Sequence, residues 1–462
     1  MPIKYKVGFR TEIIFCHIYL NSSDRFPPEV RQWVKDKTGK TSVPQIFFHD
    51  QHIGGNVELQ QLLDSAEAKR EALATLEAGP GDGELPMIPH PSEVLEEKAD
   101  DIEFECEKDE LAQVMSRLLE SGILKSHRKG LLSSAVPNVI KGSDLLSFLT
   151  DTEKESGVGD ELIQTGLLVG LSGKKTLAGE ALYTPSHLLD SRGLNSGQVA
   201  ECKVRDADTM ARDLRKVVLK LFADFLSEDG RRVDYVGMAE SSTWEKFTLM
   251  ATQLQRVNIE DISDQHKLAF FINVYNVLVI HGTVVKGVPS SMYQRYKFFA
   301  HTCYNIGGHL LSLNDIENGI LRSNRSSMAT LYRKPFGSND PRLAIILPTV
   351  DPRIHFALNC GAKSCPPIKT FTGDEVEEQL EVATQAYLES EDALLVDTGA
   401  KQVKLSMLFK WYAEDFGNNR EEILTWIQEH LGDPVKKQAL QGVGEAPSVS
   451  YIPYDWGNNA KE

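Results

Sequence analysis

The amino-acid sequence predicts a multidomain chain that combines α/β and α+β parts, on three observations. At 462 residues the chain is too long for one ordinary core and suits about three. A Gly-, Pro- and acid-rich stretch from about Glu77 to Glu110, and a turn-forming run from Asp190 to Gln198, divide it into separate regions. Within those regions short β-rich runs alternate with helical patterns, and no repeat of fixed period is present. The boundaries predicted from these breaks are 7–75, an acidic linker over 76–107, 108–189 and 206–459.

Composition narrows the function classes. The hydrophobic fraction of 41% and charged fraction of 25% are those of a soluble globular protein. A net charge of −16 repels a phosphate backbone, so wholesale nucleic-acid binding is disfavoured. The start of the chain, Met1 to Lys6, lacks the apolar stretch of a secretory signal. Six cysteines in a chain of this length, without such a signal, predict reduced thiols in a cytoplasmic setting. The most apolar run, Leu268 to Val285, carries Asn273, Asn276 and His281. Three polar side chains without partners are costly in a bilayer, so a buried core helix is expected there and no transmembrane segment.

In the first region, Glu12–Leu20 is β-rich and Pro27-Pro28 can start a helix that Gly39 stops. A strand over Gln45–His49, a tight turn at Asp50-Gln51, a second short strand and a helix from Asn56 follow. With Val43-Pro44 and Gly54-Gly55 in this order, residues 7–75 resemble a glutaredoxin that begins after its first strand and first helix, hence a truncated thioredoxin-like fold. The resemblance implies a cis Pro44 exposing the Val43 backbone to glutathione, with Gly54, Gly55 and Asn56 near the glutathione carboxylate. Val57 stands where the family usually orients the glutathione head group. The family's reactive cysteine and its supporting Lys fall in the missing part, and Cys16 lies inside a strand pattern where cysteine packs as a small hydrophobe. The expectation is a structural remnant, with glutathione binding, and glutathione-dependent thiol-disulfide exchange by a longer chain, as the alternatives.

In the middle region, Leu111–Leu119 has helical spacing, while Gly122 to Arg128 resembles the entry to a DEP domain and Ile140–Leu149 resembles its central helix. Asp160–Val169 and Leu177–Tyr183 supply a last helix and strand. Residues 108–189 resemble a DEP domain, a small helical, winged-helix-like unit that docks signalling proteins or targets them to membranes. Lys125, His127, Arg128 and Lys129 form its one compact basic cluster, and its three fixed charges fall short of the four to eight that make a convincing lipid-binding cluster.

The last region is expected to be a larger mixed α/β unit. It carries the buried helix pattern Asp264–His281, then Tyr304 to Gly308, Asn314 to Arg322, Ile354 to Pro367, and Tyr454-Asp455-Trp456. Taken together these resemble the domain of unknown function five-four-seven. His355, Cys360 and Cys365 are the candidate catalytic residues, and three uses stay open. A thiol activated by His suits a hydrolase or acyltransferase. A zinc site needs a fourth ligand such as His309. A redox pair ordinarily has a closer Cys-x-x-Cys spacing. A purely structural role is the fourth reading, in which Cys360 packs as an apolar residue and Cys365-Pro366-Pro367 makes a rigid turn. Asp315 and Glu317 are expected to cap a helix and pair with Arg322. The functional expectation for the whole chain is a cytoplasmic signalling or scaffolding protein, at most peripheral to membrane. Its partners are expected to be proteins and an anionic membrane surface, with no resident cofactor or metal.

Overall fold

The computed structural model describes residues 16–18, 45–48, 51–54, 70, 106–128, 135–152, 157–226, 232–326, 333–362, 364–365, 369, 371–444, 447–457 and 460–461. The chain is of mixed α/β class with several small sheets.

Near the start, β1 (Cys16–Ile18), β2 (Gln45–Phe48) and β3 (Gln51–Gly54) form an antiparallel sheet in that order. Cys16 pairs with Phe47 across it, so this cysteine is a strand residue as its context predicts. The expected tight turn at Asp50-Gln51 lies partly outside the described residues, and Gln51 begins β3. The expected helices from Pro27 and Asn56 lie outside the described residues.

The middle region closes a core of its own. Helix α1 (Glu110–Glu120) is capped by Asp109, whose carboxylate accepts from the Leu111 amide. It is followed by β4 (Lys125–His127), β5 (Val136–Lys141), α2 (Gly142–Thr152), α3 (Val158–Gln164), β6 (Leu168–Gly170) and β7 (Leu182–Pro185). The sheet runs β4-β5-β7-β6 with every pairing antiparallel. Met115, Leu118, Leu145, Leu149, Leu162 and Tyr183 fill the space between sheet and helices. Ile140 and Lys141 end a strand, and the helix expected over Ile140–Leu149 starts at Gly142. A Cβ at Gly142 would run into the Ala178 carbonyl, so only glycine lets the strand turn into the helix here.

The last region is built around one helix. It opens with α4 (Ala207–Phe225), α5 (Tyr235–Ala239) and α6 (Ser242–Gln253), which lead to α7 (Asp264–Lys286). Ser263 caps α7, accepting from the His266 amide, and Gly287 ends it at φ +77°. The helix is apolar and long enough to cross a membrane, yet 89% of its most apolar window is buried inside the protein. It is the core helix that its composition predicts. After it come α8 (Met292–His301), the hairpin β8 (Cys303–Ile306) and β9 (His309–Ser312), a π-helical turn over Asp315–Leu321 and 3-10 turns at Pro341–Ile345 and Pro352–Phe356. A second core, around Phe356, Phe409, Phe416 and Ile427, joins α9 (Val376–Leu388), β10 (Leu394–Asp397), β11 (Gln402–Ser406), α10 (Leu408–Trp411), α11 (Ala413–Phe416), α12 (Arg420–His430), α13 (Pro434–Gly442) and β12 (Ser448–Ile452). Here β11 is central, antiparallel to β10 and parallel to β12.

Two sequence expectations change. A disulfide joins Cys106 to Cys202, so the prediction that all six cysteines are reduced thiols is overturned. The turn-rich run Asp190–Gln198, expected as a break, is fixed to the last region. The buried Asn195 side chain donates to the carbonyls of Ala251 and Asn305 and accepts from the Asn305 amide.

Four histidines are held neutral by this packing. Burial pushes the His281 imidazole down to about 3 and that of His187 down to about 4, and it lowers His309 and His355 as well. Each ring takes up a proton on unfolding, so between pH ~6.5 and ~4 the unfolded chain binds more protons than the folded one. Stability therefore falls as pH falls through that window, by a total on the order of 5 kcal/mol from pH ~7 to ~4. Urea unfolding at a series of pH values reads this directly. A profile flat down to pH ~4 contradicts the buried neutral histidines.

Candidate functional site

Two asparagines of α7 hang the cysteine-bearing segment from the core. Asn276 donates to the Ala357 carbonyl at 3.0 Å and accepts from the Asn359 amide at 2.8 Å. Asn273 does the same for Phe371, donating to its carbonyl at 2.7 Å and accepting from its amide at 3.2 Å. A side-chain amide offers one donor and one acceptor side by side, and here each pair serves backbone that would otherwise be unsatisfied in the interior.

Between these two anchors the chain makes a tight turn. The Asn359 side chain accepts from the Gly361 amide at 2.8 Å, and Gly361 takes φ +82°, which favours glycine. The turn brings the Cys360 and Cys365 sulfurs to 3.0 Å, and the Cys360 amide donates to the Cys365 sulfur at 3.1 Å. The end of the chain folds over the pair. Ser364 and Asp455 exchange hydrogen bonds, Ser364 N–H to the Asp455 carbonyl and Asp455 N–H to Ser364 Oγ. That clip sets the Tyr454 hydroxyl 3.3 Å from Cys365 Sγ and 3.8 Å from Cys360 Sγ. Trp411 and Trp456 pack against Tyr454, and the Arg295 guanidinium lies 4.5 Å over Trp456.

The two thiols are electrostatically unequal. The hydrogen bond it donates to Cys365, together with burial, pushes the Cys360 thiol well up. Burial alone would raise Cys365 too, but hydrogen bonds from Cys360 and Tyr454 outweigh it and bring that thiol down to about 7. One sulfur is thus poised to be the thiolate and its neighbour the protonated donor.

His355 belongs to a different cluster. Its Nε2 donates to Asp415 Oδ2 at 2.8 Å, and its ring stacks on Tyr412 with centroids 3.8 Å apart. Asp415 is a hub, also accepting from Arg322 Nε at 2.6 Å, Arg322 Nη2 at 2.9 Å and Arg325 Nη1 at 2.7 Å. Burial would raise the Asp415 carboxyl, but the His355 and Arg322 hydrogen bonds hold it far below the usual range. Glu317, on the π-helical turn, accepts from the hydroxyls of Tyr412 at 2.7 Å and Tyr275 at 3.0 Å. The expected pairing of Asp315 and Glu317 with Arg322 is therefore corrected. Asp315 caps by accepting from Ser312 and pairs with Arg342, while Arg322 pairs with Asp415 and Glu414.

Of the sequence-predicted site residues, Cys360 and Cys365 come together and His355 stands apart from them, paired with Asp415. Tyr454, flagged as a motif without a role, completes the thiol pair, and Asp415 and Tyr412 are the residues that sequence reading missed. Of the residues expected near glutathione, Gly54 ends β3 with φ +123°, while Val43, Pro44, Gly55 and Asn56 lie outside the described residues. Among the described residues no group of three His, Cys, Asp or Glu side chains is placed to hold a metal ion.

The Asp415 cluster makes a clear energetic prediction. Asp415→Ala leaves the Arg322 guanidinium, whose side chain is 1% exposed, without its main partner. The expected cost is about 3–5 kcal/mol in chemical denaturation, with much of it recovered in an Arg322→Met/Asp415→Leu double variant. A single-variant loss below ~1 kcal/mol contradicts the buried pairing.

Comparison with known proteins reaches one part of the chain. No curated protein and no solved structure matches it. The matched stretch, narrower than the 206–459 expected from the sequence, runs from the end of the α6 connection through α7, the hairpin, both cysteines and α9: residues 259–388 carry a domain described as Protein of unknown function, DUF547.

Proposed function

We propose that the last region performs thiol–disulfide exchange through Cys360 and Cys365. The observation that supports this reading is the 3.0 Å approach of two free sulfurs under one tyrosine hydroxyl. In the reaction, the Cys365 thiolate attacks a disulfide R–S–S–R′, forms Cys365–S–S–R and releases R′S⁻. The Cys360 thiol then gives up its proton and attacks the Cys365 sulfur, closing the Cys360–Cys365 disulfide and releasing RS⁻. The substrate gains two electrons and the pair loses two. A small thiol of the glutathione type regenerates the dithiol by the reverse exchange, leaving as its own disulfide. The hydrolase reading is less favoured, because the hydrogen bonds of Cys360 and Cys365 run to each other and to Tyr454, and none joins either sulfur to His355.

Alkylation with iodoacetamide is expected to label Cys365 first, with a half-maximal rate at a pH of about 7. Cys365→Ser is expected to abolish reduction of a small aromatic disulfide, and Cys360→Ser to trap the mixed disulfide. Slow and equal labelling of Cys303, Cys360 and Cys365, rising only above pH ~8.5, rejects the reading.

A second reading, docking of a signalling or scaffolding protein through residues 108–189, is favoured by a separate core that leaves Leu146 56% exposed and by the exposed Lys125 and Arg128 beside the β4–β5 hairpin. Its targets are protein partners and an anionic membrane surface. Co-sedimentation with phosphatidylserine vesicles tests the lipid arm. Pelleting equal to that with neutral vesicles removes it.

A further inference from the structure

We infer that the Cys106–Cys202 disulfide is a reversible thiol modification site that latches the middle region onto the last one. The chain enters the middle region through residues 106–109 and leaves it through 200–203, and these two segments run side by side. Lys108 and Cys202 form an antiparallel bridge, the Asp109 amide donates to the Glu201 carbonyl at 2.9 Å, and the Lys203 amide donates to the Glu107 carbonyl at 2.8 Å. The disulfide closes this stem around everything between the two cysteines, which are 96 positions apart.

The stem rests on one buried arginine of the last region. Arg256 Nη1 donates to the carbonyls of Cys202 at 2.7 Å and Ala200 at 3.1 Å. Its Nη2 meets the Asp109 carboxylate, and its Nε donates to the Thr165 carbonyl at the end of α3. The neighbouring Gln253 accepts from the Cys202 amide. Around this hub the middle region touches the last one through small contacts. A Cβ at Gly166 would lie 3.0 Å from Arg256 Cα, Val169 meets Gly308, and Lys175 pairs with Glu260. Of these contacts Val169 is the apolar one, and the others are polar or backbone. The middle region keeps its own core, so the joint opens without unfolding either side.

The two sulfurs differ in access, since Cys202 is 3% exposed and Cys106 only partly buried. An external thiolate RS⁻ attacks Cys106 Sγ, forming Cys106–S–S–R and expelling the Cys202 thiolate, which takes a proton. A second RS⁻ attacks the R sulfur, releasing RSSR and the Cys106 thiol. Oxidised, the stem is locked; reduced, it is held by non-covalent contacts, the bridge, Arg256, Gln253 and the Lys175–Glu260 pair among them. Opening then bares the faces at Thr165–Val169 and at Arg256 and Gly308.

The test uses the full chain carrying C360S and C365S, so that only this pair responds, and compares hydrogen exchange before and after dithiothreitol. The expected result is at least tenfold faster exchange at the Glu107–Asp109, Gly166–Val169 and Cys202–Lys203 amides, with α7 and α2 unchanged. Cys106→Ser is expected to show the fast pattern without reductant. Three results overturn the inference: no disulfide at these positions under oxidising conditions, identical exchange in both states, or equal acceleration in α7, which would mean that the bond supports the whole fold.

Discussion

The amide of Asn276 is the contact on which the site rests. It sits on a helix buried along almost its whole length, where a polar side chain is tolerated only if both its donor and its acceptor are used. Asn276 meets that requirement by gripping Ala357 and Asn359, so the cost of burying one amide becomes the restraint that fixes the Cys360 turn. Asn273, one helical turn earlier, fixes the far end at Phe371 by the same pair of bonds. With both ends of the segment held by a rigid element, the sulfur separation is set by the core and not by the turn alone.

Below the dithiol lies a second polar layer that does a different job. Asp415 pairs with two arginines and accepts from a neutral histidine, and Tyr412 stacks on that histidine while its hydroxyl reaches Glu317. Tyr275 binds the other Glu317 oxygen and is the direct chain neighbour of Asn276. The layer thus couples the middle of α7 to the short helix Ala413–Phe416 and ties the two hydrophobic cores together. Networks of this kind specify one arrangement because every member is satisfied only in that arrangement.

What the sequence made legible follows from which forces are local. The buried helix over Asp264–His281 was readable because its residues are apolar all round, and the demand that Asn273, Tyr275, Asn276 and His281 find partners followed from that burial alone. The partners themselves were not readable. Ala357 is 81 positions from Asn276 and Phe371 is 98 from Asn273, and no local periodicity encodes such closures. Asp415 left no signal, since a carboxylate in a four-residue helix between aromatics reads as a solvated turn until the chain folds back onto His355. The disulfide was missed for a related reason: a prior on cellular compartment stood in for geometry, and only the side-by-side stem brings Cys106 to Cys202. The turns at Asp190–Gln198 were legible because backbone conformation restricts residue type on the spot, whereas the strand-to-helix change at Gly142 was not, since the close approach of the Ala178 carbonyl that requires glycine is non-local.

The central claim is that Cys360 and Cys365 change oxidation state together. The most direct measurement is mass spectrometry of the intact chain and its peptides after equilibration over a series of reduced-to-oxidised glutathione ratios, with free thiols trapped at each ratio. The account predicts that the Cys360 and Cys365 peptides together lose two hydrogens reversibly and in a single transition, whatever the state of Cys106 and Cys202. Two fully alkylatable thiols at every ratio, or glutathione stably attached to Cys365 without closure to Cys360, would contradict it.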